Sequence, residues 1–195
     1  VDNAGGTITL GNNSTGIYAS GATSNAVNSG TITIGQGSQG IYLKDGMTAD
    51  NAGGIIQSTG AKTTGIYTDN VSNPITNSGL INLSGNKSIG IYTAGASAKT
   101  ITNTGTIKIG NSSDLNDPSI GIYTKAIGDT ITNTGTINSG KKSIGIYGEG
   151  ATINQNAALI TGETGTGIYT KGGSVGIGTA ATMTVGQNEA VGVYA

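Results

Sequence analysis

The sequence predicts an all-β chain folded as a right-handed parallel β-helix, a solenoid of about eight coils of 22–31 residues with three short strands per coil. Three observations predict it. The composition favours small and β-branched residues, one tyrosine tripeptide returns eight times, and an asparagine motif returns upstream of it.

Of 195 residues, 36 are Gly, and there is no Phe, Trp, Cys or His. The nine basic residues are all Lys. Ordinary domains hold only about 7% Gly. Charged residues are 10% of the chain and the net charge is −1. That balance, with abundant Ile, Val and Thr, suits pleated half-buried strands better than disorder. The missing residues also remove chemistry. Without Cys or His there is no ordinary zinc site and no thiol or imidazole catalysis. Without Arg, and with Lys scattered among ten acids, no electrostatic footprint for nucleic acid exists. No apolar run approaches the roughly 20 residues that span a bilayer as a helix.

All eight tyrosines fall in Gly-Ile-Tyr or Gly-Val-Tyr: Tyr18, Tyr42, Tyr67, Tyr92, Tyr123, Tyr147, Tyr169 and Tyr194. Their spacings are 24, 25, 25, 31, 24, 22 and 25. Upstream lies Asn-x-Gly-x-Ile, with Asn3, Asn28, Asn51, Asn77, Asn103, Asn133 and Asn156, and with Thr179 expected in the eighth place. Asn3 and Asn51 precede Ala-Gly-Gly, which implies one extra residue or a small bulge. A repeat of this length with three strands fits neither a propeller blade nor a leucine-rich repeat. Stacked at the strand spacing of about 4.8 Å, eight coils give a rod roughly 35–40 Å long.

Each unit reads as Ile-Thr-Asn (Ile75, Ile101, Ile131), then Thr-Ile-x-Ile (Ile32 with Ile34, Ile107 with Ile109), then Ser-x-Gly-Ile-Tyr. Gly, Asn and Ser clusters such as 11–13 and 84–87 separate them as turns. Alternation points Ile75, Ile81, Leu83 and Ile91 inward, with Ile101, Ile107, Ile109 and Ile122 stacked on them, and Ile89 and Ile120 on the same parity. The asparagines share the inward parity and read as a stacked amide ladder at a bend. The tyrosines read as an external ladder, ring over ring. The competing placement buries them above the small Ser and Gly of their own parity. Two residues beyond Tyr, register sets Lys44 beside Asp69 and Glu149 between Lys125 and Lys171.

Candidate sites are few. Gly35-Gln-Gly-Ser-Gln-Gly40 matches a nucleotide-loop pattern, but the repeat continues into a strand where that motif needs a helix. The acids are spread singly, so no catalytic carboxylate pair or calcium cluster is expected. The 31-residue unit carries an extra loop, Asn111-Ser-Ser-Asp-Leu-Asn-Asp-Pro118. Asn111, Asp114, Asn116 and Asp117 are therefore a candidate binding loop, since loops on rigid scaffolds often carry binding. The plainer reading is a solvated turn. No catalytic residue, cofactor or metal is expected. The chain starts and stops within a unit, so residues 1–195 read as one segment of a longer array.

The repeated Asn-x-Gly-x-Ile followed by Ser-x-Gly-Ile-Tyr resembles the passenger domains of large type V autotransporters of fusobacteria and related anaerobes, the RadD-like outer-membrane adhesins. The resemblance covers all eight units. It implies a cell-surface β-helical stalk, anchored by a C-terminal outer-membrane barrel, that binds a receptor or glycan on host cells or other bacteria. Two other classes stay open: a carbohydrate-active β-helix enzyme, and an ice-binding solenoid. For the second, Thr7 with Thr9 and Thr31 with Thr33 form local rows that Lys108 and Asn138 interrupt.

Overall fold

The computed structural model describes residues 1–71, 73–95 and 98–195. Among them are 22 strands and no helix, and every strand pairing is parallel. The chain is a parallel β-solenoid of about eight turns. One coil shows the plan: Ile75–Asn77, Leu80–Leu83 and Ile89–Ala94 are its three strands. Each pairs with its equivalent one coil away, so Asn77 meets Asn103, Ile81 meets Ile107 and Tyr92 meets Tyr123. The middle strands form one eight-stranded sheet. The first and third strands form a fourteen-stranded sheet, because Ile144–Gln155 and Thr166–Ile177 each run unbroken from a third-strand position into a first-strand position.

The core is a set of aliphatic columns. Ile75, Ile81, Leu83, Ile91, Ile101, Ile107 and Ile122 are fully buried, and Ile109 nearly so. No single coil closes a core alone. Each apolar residue is covered by its equivalents above and below, which makes the period compulsory.

Ile89 departs from the expected parity. It is only half-buried and faces outward, while Gly90 and Ile91 are both buried. Strict alternation fails here because two successive residues, Gly90 and Ile91, are buried. A Cβ on Gly90 would lie 2.5 Å from the Gly121 carbonyl oxygen and 2.7 Å from Cγ2 of Ile107. Gly65, Gly121 and Gly145 meet the same kind of obstruction from the next coil's glycine oxygen. The residue before each glycine is thus turned out, giving a column Gln39, Thr64, Ile89, Ile120, Ile144, Thr166, half-buried except for Ile120, which is only 7% exposed beside the 111–118 loop. The residue before that is turned in: Ser38, Thr63, Ser88, Ser119 and Ser143 are buried.

Between the second and third strands, most coils turn through one left-handed residue, Asn13, Gly37, Lys62, Lys87, Lys142 or Thr164, and the last through two, Asn188 and Glu189, with φ of 53–69°. The fifth coil instead carries the 111–118 loop. The extra residue after Asn3 and Asn51 is absorbed by Gly5 and Gly53 at φ +76° and +74°, which only glycine adopts without strain. Gly35–Gly40 leads into the strand Gln39–Lys44 and not into a helix.

Candidate ligand-binding face

The internal amide column is continuous. Each Nδ2 donates to the Oδ1 of the next coil: Asn3 to Asn28, Asn28 to Asn51 and Asn51 to Asn77 at 2.8 Å, Asn77 to Asn103 and Asn103 to Asn133 at 2.7 Å. From Asn28 onward these side chains have no exposure. The second amide hydrogen goes to the glycine carbonyl of the same unit, as from Asn51 to Gly54 at 3.0 Å. Those glycines are steric necessities, since a Cβ on Gly79 would lie 2.1 Å from the Gly54 oxygen.

The seventh place corrects the sequence reading. Gln155, not Asn156, pairs with Asn133 and accepts its amide at 3.0 Å. Asn156 sits one residue along and is half-buried. Register explains it. Leu159 pairs with Ile137 and is fully buried, whereas Ile160 is 37% exposed. A one-residue slip would exchange the two faces. Thr179 is likewise displaced, for Ile177 is the partner of Gln155.

The tyrosines form the external column, with the six inner ones half-buried and Tyr18 and Tyr194 exposed. Adjacent centroids are 4.7–5.3 Å apart. Tyr42, Tyr67, Tyr92 and Tyr123 are stacked, with interplanar angles of 13–25°, and so are Tyr147, Tyr169 and Tyr194, at 3–13°. Between the two runs the stack breaks: Tyr123 and Tyr147 meet edge to face at 76°. Desolvation raises the phenol pKa of Tyr42, Tyr67, Tyr123 and Tyr147, with a nearby carboxylate adding to it at each and Lys125 opposing it at Tyr123. Lys44 faces Asp69 and Glu149 faces Lys171 in register. Lys125 instead lies over the rings of Tyr92 and Tyr123, 5.8 and 5.5 Å from their centroids.

The long loop lies on this same face. Its groups serve the scaffold. Asn111 accepts from the Lys141 amide at 2.8 Å, Asp114 accepts from the Asn116 amide at 2.9 Å, and Asp117 pairs with Lys87 at 2.6 Å. Asp114 and Asp117 therefore have different partners and do not converge on a point. Beneath the loop is an open cleft of about 320 Å³, lined by Lys87, Ile89, Asn116, Asp117, Pro118, Ile120, Tyr123, Ile144 and Tyr147. A shallower depression of about 390 Å³ continues along the axis past Ile89 and Tyr92 to Lys62 and Tyr67. The outward Ile column that floors both was missed in the sequence, where alternation placed Ile89 inside.

Sequence reasoning also missed a buried ion pair. Lys99 Nζ lies 3.4 Å from Asp129 Oδ1, and neither side chain has any exposure. The Lys99 amide donates to the same oxygen at 3.0 Å. Thr93 and Thr124 donate their hydroxyls to Oδ2.

A family model described as the BigA third pectate lyase-like domain matches residues 33–142. That span holds more than half of the chain, including the Asn column from Asn51 to Asn133, the long loop and the Lys99–Asp129 pair. No curated protein and no solved structure matches the chain.

Proposed function

The chain belongs to the family of the BigA third pectate lyase-like domain, and from that premise we propose that it is a structural and ligand-presenting segment of a bacterial surface adhesin. The observation that carries this is the ladder architecture. An aliphatic column and, through the first seven coils, an amide column run inside, a tyrosine column runs outside through all eight, and the 111–118 loop overhangs the tyrosine column. Such a rod holds a surface at a fixed distance from its base with little conformational freedom. On this reading the parent protein is a type V autotransporter of the RadD-like kind. A C-terminal barrel holds it in the outer membrane, and the rod faces the medium and meets a receptor or glycan of host or bacterial cells.

Catalysis is not part of this reading, although the family's description names a lyase-like fold. The chain has no Arg or His to polarise or deprotonate a uronate, and among the described residues no three acids gather at one point. The test is saturable binding of the labelled chain to a panel of epithelial and bacterial cells, with release of unsaturated or reducing sugar ends followed in parallel. Saturable binding without new sugar ends is expected. Absence of binding to every cell type would reduce the segment to a spacer, and release of sugar ends would make it an enzyme.

A further inference from the structure

We propose that the cleft under the 111–118 loop is a binding site for a neutral oligosaccharide, one or two pyranose rings of which sit between the loop and the break in the tyrosine stack. The inference rests on the adhesin reading and deepens it. Apart from the first pair, Tyr18 and Tyr42, which is tilted at 57°, the rings elsewhere in the column stack on their neighbours, with interplanar angles of 25° or less. A stacked column offers a ligand only ring edges. At Tyr123 and Tyr147 the angle is 76°, so one ring turns its face away from the column. An aromatic face carries negative charge density and attracts polarised C–H edges, such as those on the apolar face of a pyranose.

That break coincides with the place where the 111–118 loop walls the face. Ile120 and Ile144 give an apolar floor, Pro118 closes one side, and Asn116 stands exposed at the lip, where its Nδ2 donates to Asp114 Oδ1 at 3.2 Å and its Oδ1 and second amide hydrogen are left to face hydroxyls. The volume, about 320 Å³, is at the lower end of the roughly 300–1,000 Å³ of small-molecule pockets. It suits one or two sugar rings rather than a peptide or a long chain.

Charge selects the class of sugar. Lys87 is neutralised by Asp117 at 2.6 Å. Lys125 lies over the Tyr123 ring, and Glu149 stands beside Tyr147, where it raises that phenol's pKa. With Asp114 of the loop, which also acts on Lys87, two cations and three anions surround the cleft and leave no positive charge to hold a uronate. A neutral hexose or N-acetylhexosamine fits; a polygalacturonate does not.

The experiment is titration of the full chain with neutral hexose and N-acetylhexosamine oligosaccharides and with oligogalacturonates, followed by tyrosine fluorescence and calorimetry. Binding of at least one neutral series and none of oligogalacturonates is expected. Tyr147→Ala should weaken it at least about tenfold, while Tyr67→Ala, within the continuous stack, leaves it within about twofold. Asn116→Arg, on the exposed loop away from the core, should also weaken it at least about tenfold and covers the case in which Tyr147→Ala does not fold. Equal losses at Tyr67 and Tyr147 would overturn the cleft, as would preference for oligogalacturonate. No binding of any neutral series would overturn it as well. In that case saturable binding to cells would still support the adhesin reading, and its absence would remove both.

Discussion

Asn103 accepts from Asn77 and donates to Asn133, at 2.7 Å on each side, with no exposure to solvent. Replacing it with Leu keeps roughly the volume but strands a donor on Asn77 and an acceptor on Asn133, each at a cost of about 1–3 kcal/mol. Asn3 has one amide neighbour in the chain and is half-exposed, so water can replace what is lost. Urea unfolding should therefore show Asn103→Leu costing at least about 2 kcal/mol and Asn3→Leu under about 1. The same measurement separates Gln155 from Asn156. Gln155→Leu should be costly and Asn156→Leu nearly neutral. Six of the seven asparagines were legible because the motif around each is intact or, at Asn3 and Asn51, lengthened by one glycine. The seventh was not, because two amide residues stand side by side there. Only the burial of Leu159 in place of Ile160 decides which of them turns in.

At the scale of the element, the tyrosine column and the turns behave differently. The column was legible as a period, but its facing was not: the Ile or Val beside each Tyr argued for the outside, and burial over the small Ser and Gly stayed open. The break at Tyr123 and Tyr147 was not legible, since identical tripeptides carry no sign of ring rotation. The outward turn of Ile89 was hidden because Gly90 interrupts the alternation on which the reading depended. Raised phenol pKa values mean that the folded state holds those protons more tightly than the unfolded chain. That contribution is fully present below the unfolded value of about 10 and is lost as pH rises through the higher folded values. The urea midpoint should thus be level from about pH 7 to 9 and fall above about 10. A midpoint level to about pH 11 would mean that the column does not resist ionisation. The Lys99–Asp129 pair lies where units differ in length, so no repeat announces it. Asp129→Ala removes the carboxylate that faces the Lys99 ammonium in a fully buried site and should cost about 3–5 kcal/mol, read from the same unfolding curves. A loss below about 1 kcal/mol would mean that water reaches Lys99.

For the whole molecule, stability is a sum of interfaces between neighbouring coils rather than the property of one core. Ile107 shows the consequence. It pairs with Ile81 on one side and Ile137 on the other, is fully buried, and its γ2 methyl fills the space that Gly90 leaves open. A carboxylate there has no partner, and burying it unpaired costs several kcal/mol, on the order of the stability of an entire domain. Because each coil is closed by its neighbours, damage at a central coil weakens the interfaces on both sides and divides the rod into two shorter stacks. Lys44 lies on the outer surface, beside Asp69. Melting followed with amide hydrogen exchange should show Ile107→Asp lowering the transition sharply, with exchange rising fastest at 80–83, 106–109 and 136–139. Lys44→Ala should leave both measurements unchanged. If the two substitutions shifted melting equally, Ile107 would not be a shared floor between coils, and the coupling of neighbouring turns would have to lie in the backbone ladders alone.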